Sequence, residues 1–67
     1  MQFEAQDDST ILVSENGVIG YIIIEDVEDA ENVPSHRNIF FEFKAGVNPS
    51  LTLDEMKEIV RYMEGLK

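Results

Sequence analysis

From Glu25 to Glu31 the chain reads EDVEDAE, which places five carboxylates, Glu25, Asp26, Glu28, Asp29 and Glu31, in seven positions. Such a density suits a cation, a basic partner or simply water. The run lacks the alternating acid spacing and central glycine of a calcium-binding loop, so no specific metal is expected beyond adventitious Ca²⁺ or Mg²⁺. Nucleophilic catalysis by a serine–histidine–acid set needs His36, the only histidine. Ser35 is its chain neighbour and points away from it, and Ser9, Ser14 and Ser50 have no supporting motif. The four glycines, Gly17, Gly20, Gly46 and Gly65, are scattered and form no phosphate-binding loop. The expectation is a non-enzyme with no cofactor. His36 and Arg37 lie in VPSHRN, a turn-forming stretch, and read as a solvent-facing loop pair that partly neutralises the acids before it.

Recognition chemistry is the remaining use. Fourteen acidic residues against five basic ones give a net charge of −9. That charge repels nucleic acid and anionic membranes and attracts basic proteins, with an association rate that falls as salt rises. Alternate carboxylates on an extended segment recur about every 6.6 Å, close to two phosphate steps along a nucleic-acid strand. Asp7, Asp8, Glu15, Glu42, Asp54, Glu55 and Glu58 extend the charge if the fold brings them to one side. The same acids also read as a device for solubility and protection of a sheet edge.

These residues must be positioned by a small scaffold. The chain has 67 residues and no cysteine, so residues 1–67 form one domain held by packing alone, or by packing and a partner subunit. An apolar fraction of 43% is too high for an acidic disordered tail. The polar start QFEAQDD has neither the basic nor the apolar region of a signal peptide, and the apolar run VIGYIII is too short to span a bilayer. A cytoplasmic protein is expected.

In TILVSENGVIGYIIIE two β-branched runs flank Asn16-Gly17, the signature of a hairpin with a two-residue type I′ turn. That turn pairs Glu15 with Val18, Val13 with Gly20, Leu12 with Tyr21 and Ile11 with Ile22. One face then carries Ile11, Val13, Val18, Ile22 and Ile24, and the other carries Leu12, Ile19, Tyr21 and Ile23. Another strand follows in NIFFEFKAG, with Ile39, Phe41 and Phe43 on one side and Phe40, Glu42 and Lys44 on the other. QFEAQ has room for a short edge strand, and five residues leave strand and coil open. The C-terminal segment is a helix: Thr52 and Glu55 form a capping box, Leu51 and Met56 a hydrophobic staple, and Gly65 the stop. Met56, Ile59, Val60 and Met63 make its apolar stripe.

The expected architecture is α+β, an antiparallel meander of three or four strands with one C-terminal helix packed on one face. One helix covers one face only. The other leaves Leu12, Ile19, Tyr21, Ile23 and Phe40 as an apolar patch to be covered by the N-terminal segment, the acidic loop, a second copy or a different partner. The functional expectation is a small acidic interaction module. It acts as an inhibitor or nucleic-acid mimic on a basic, nucleic-acid-handling protein such as a nuclease, contacting it through Glu25, Asp26, Glu28, Asp29 and Glu31 and through this patch. The parallel with phage inhibitors of restriction or CRISPR machinery is one of size and charge, not of motif. The alternative is an obligate homodimer whose sheet faces pair and whose acids serve solubility.

Overall fold

The computed structural model describes residues 1–67. It consists of β1 (Gln2–Ala5), β2 (Thr10–Ser14), β3 (Val18–Val27), β4 (His36–Phe43) and α1 (Leu53–Glu64) in chain order. The strands form one antiparallel sheet in the order β1-β2-β3-β4, with α1 against one face. This is the expected α+β meander, and the N-terminal residues do form its edge strand, with Phe3 opposite Val13.

The β2–β3 pairs expected at Val13–Gly20, Leu12–Tyr21 and Ile11–Ile22 are present, but the turn is not the type I′ turn expected. Only Gly17, at φ 114°, has positive φ; Asn16 does not. The loop has three residues, Glu15 to Gly17, and Ser14 rather than Glu15 stands opposite Val18. The register shifts there, so Ile19 becomes the extra residue of a bulge. A one-residue slip turns the alternation over. Ile19, expected on the outer face, is therefore buried in the core, and Val18, expected in the core, is only half-buried.

The strands also run further than expected. β3 continues through Glu25, Asp26 and Val27, which stand opposite Asn38, Arg37 and His36 of β4. Glu25 and Asp26 are thus strand residues and not the start of a loop, and His36 and Arg37 open a strand rather than lying in a turn. Beyond Val27, Ala30 and Val33 exchange backbone hydrogen bonds of 2.9 Å in both directions, closing a tight tip on Asn32 at φ 67°.

Ile11, Val13, Ile19 and Ile22 from the sheet and Ile59 from α1 form the buried core. The helix starts at its expected cap. The Glu55 N–H donates to Thr52 Oγ1 (3.1 Å) and the Thr52 N–H donates to Glu55 Oε1 (2.8 Å). Hydrogen bonding from the Thr52 N–H, and then from its hydroxyl, holds the Glu55 carboxyl below its ordinary range. Its apolar stripe is rotated from the expected one. Ile59, Tyr62, Met63 and Leu66 pack inward, while Met56 and Val60 remain 46% and 52% exposed. Tyr62 stacks on Phe3 with ring centroids 4.2 Å apart, which draws the helix toward β1 and leaves the helix-side face of β4 partly open.

Candidate partner-binding surface

Strand alternation sorts the candidate residues onto two faces. Away from the helix, one row across the sheet reads Glu4, Leu12, Tyr21, Glu42, and the next reads Thr10, Ile23, Phe40. Glu25 and Asn38 follow on the same side. Leu12, Tyr21 and Ile23 are half-buried by one another, and Phe40 is 49% exposed. Four of the five apolar residues expected on this face therefore meet there; Ile19 is absent because the bulge turns it inward. β1 takes up the sheet edge, and the tip closes on itself at Ala30–Val33, so neither lies over the apolar island. Its rim is acidic: Glu4, Glu25 and Glu42. Glu4 carries no signal in the sequence alone, because its place depends on β1 pairing in this register.

The carboxylates of Glu25 to Glu31 gather at one end of an elongated molecule, 44 × 21 × 18 Å. Asp7 and Asp8 join them, because the Ile24 N–H donates to Ser9 O (2.7 Å) and brings the β1–β2 turn alongside. They do not share one face. Asp26 points to the helix side, where Arg37 Nε donates to its Oδ1 (2.5 Å) and Nη2 to its Oδ2 (3.0 Å). These bonds hold the Asp26 carboxyl below its usual range and raise the guanidinium. Arg37 Nη1 also donates to Leu66 O (2.6 Å), tying the end of the helix to this corner. Asp29 accepts from the Ser35 N–H, and Asp7 accepts from the Ser9 N–H (2.7 Å) and hydroxyl (3.0 Å), which lowers its pKa. Glu25 has only a 3.4 Å contact from Asn38 Nδ2, and Glu28 and Glu31 are exposed and without an ion-pair partner.

Of the five expected acids, then, Asp26 and Asp29 serve the fold, and Glu25, Glu28 and Glu31 are free to meet a partner. His36 Nδ1 lies 3.0 Å from Pro34 O at the same end. No group of three or more His, Cys, Asp or Glu side chains is arranged to hold a metal ion. No helix is long and apolar enough to cross a membrane. No protein-family model, curated protein or solved structure matches the chain.

Proposed function

We propose that this chain is a non-catalytic binding protein that docks a basic protein surface through the helix-free face of its sheet and the adjoining acidic end. One observation carries the reading: Phe40, half-exposed on an uncovered sheet face, sits in an apolar island with Leu12, Tyr21 and Ile23 inside a rim of Glu4, Glu25 and Glu42. An apolar centre with a polar rim is the usual anatomy of a protein interface, and large rings at the centre supply most of its affinity. Two copies pairing through these faces would set carboxylate rims against each other, so a basic, heterologous partner fits better than the face-to-face homodimer.

The partner class we favour is a nucleic-acid-handling protein such as a nuclease, whose cationic groove an acidic end can occupy. The mimicry is that of a charged pole. Glu25 is followed on its own face by Val27, so phosphate-like spacing does not continue along the strand.

The test uses the free carboxylates only, since neutralising Asp26 would also strand Arg37. A Glu25→Gln, Glu28→Gln, Glu31→Gln variant, measured against the basic protein recovered with the wild-type chain on salt-gradient elution, is expected to associate several-fold more slowly and with weaker salt dependence. Phe40→Ala is expected to speed dissociation at least tenfold. Unchanged rates in both variants would remove the proposal.

A further inference from the structure

A second surface lies on the opposite side of β4, and it differs in chemistry from the rest of the molecule. Between α1 and the open edge of the sheet, Phe41, Phe43, Leu51, Met56, Val60 and Met63 line a wholly apolar groove. Of the six large apolar residues that remain exposed, three line it: Phe43 (52%), Met56 (46%) and Val60 (52%). Its floor ends at β4, an edge strand of eight residues without proline and with unbroken register against β3. Long, regular, apolar edges of this kind are normally shortened, bulged or covered. The other edge, β1, has four residues.

We infer that β4 and this groove form the interface of a homodimer, in which a second copy pairs its own β4 antiparallel to the first and extends the sheet to eight strands. A two-fold axis normal to the sheet keeps both helices on one side, so the two grooves close on each other across the axis. Charge selects the occupant. Three of the five basic residues, Lys57, Arg61 and Lys67, line the hollows along α1, and a fourth, Arg37, lies on the same side paired with Asp26. With Glu64 the one carboxylate lining those hollows, this is the region where a chain of net charge −9 can approach its own copy with least repulsion.

A folded monomer of 7.6 kDa exposes about 4,300 Å², whereas this chain exposes 4995 Å², the open groove and the elongated shape both contributing. The inference is independent of the binding role of the outer face. In the dimer the two outer faces become continuous, which presents two apolar islands to one partner.

Analytical ultracentrifugation of the whole chain tests it. The expected result is a dimer at micromolar concentration, twice the mass of the 7.6 kDa chain, with a melting temperature that rises with concentration. Val60→Glu and, separately, Phe43→Glu are expected to give folded monomers, because both side chains are already half-exposed. Phe40→Glu, on the opposite face, leaves the dimer intact. Amide hydrogen exchange of the unmodified chain, run above and below the dissociation range, needs no variant to fold: the alternate amides within His36–Phe43 that face away from β3 lose protection on dilution, while those bonded to β3 keep it. A wild-type monomer at 100 μM overturns the inference. So does a dimer that survives both substitutions, or one that Phe40→Glu alone dissociates.

Discussion

Gly20 shows how closely a single residue can bind the layers of this fold. It is buried beside the bulge, and a Cβ built there would lie 2.5 Å from the Glu42 carbonyl oxygen and 3.0 Å from Phe41 Cζ. Backbone cannot yield to that contact without opening the β3–β4 pairing. Gly20→Ala is therefore expected to cost about 1–3 kcal/mol, checked as a fall in the denaturant midpoint at unchanged slope. Asp26 and Arg37 show the same economy in charge. The acidic run in the sequence looks uniform, yet a cation eleven positions on removes one member from the free set. A carboxylate's availability depends on what faces it across the strand pair, and that is not visible in a list of acids.

At the scale of elements, the local signals proved reliable where the chemistry is local. The reciprocal Thr52–Glu55 bonds need only four consecutive residues, and Thr52→Ala is expected to cost about 1 kcal/mol, measured by thermal or chemical denaturation. The β2–β3 hairpin was legible in its pairs and not in its loop. Asn16-Gly17 suits a two-residue turn, but the bulge buries Ile19, and burying a large β-branched side chain outweighs the small preference between turn types. This yields a discriminating pair of variants. Gly17→Ala, at φ 114° with nothing within 4 Å of the added methyl, is expected to lose about 1–2 kcal/mol from backbone conformation alone. Asn16→Ala, at a position without positive φ, is expected to change stability far less. Equal losses in both would restore the type I′ turn. The helix stripe shifted for a comparable reason: the Phe3–Tyr62 stack is long-range, and Met56 and Val60 gave up burial to it.

At the scale of the molecule, shape and charge set the behaviour. The radius of gyration is 13.5 Å, against about 11 Å for a compact chain of this length, because the β3–β4 hairpin projects beyond the helix. Asp7, Asp26 and Glu55 have pKa values lowered by their hydrogen bonds in the folded state. For carboxyls depressed on folding, the stabilisation is present above their unfolded pKa values and disappears as pH falls through the folded ones. The denaturation midpoint is therefore expected to drop below about pH 4. Glu55→Gln and Asp26→Asn, each having lost its titrating group, are expected to show a shallower decline. A wild-type midpoint that stays constant down to pH 2 would show that these bonds add no stability.

By itself the sequence determined the fold class, the helix and its cap, the central strand pairs and the excess of negative charge. These follow from alternation, turn residues and capping chemistry within a few positions of one another. It also placed Leu12, Tyr21, Ile23 and Phe40 on the face the helix leaves open, because strand alternation counts residues and needs no partner. Only the tertiary structure decided which acids are free, that β1 pairs and adds Glu4 to the rim, that Ile19 turns inward, and that the helix leans toward β1 and leaves a groove along β4. Each of these depends on contacts between residues far apart in the chain, where the packing of side chains such as Ile19, Phe3 and Tyr62 outweighs local preference.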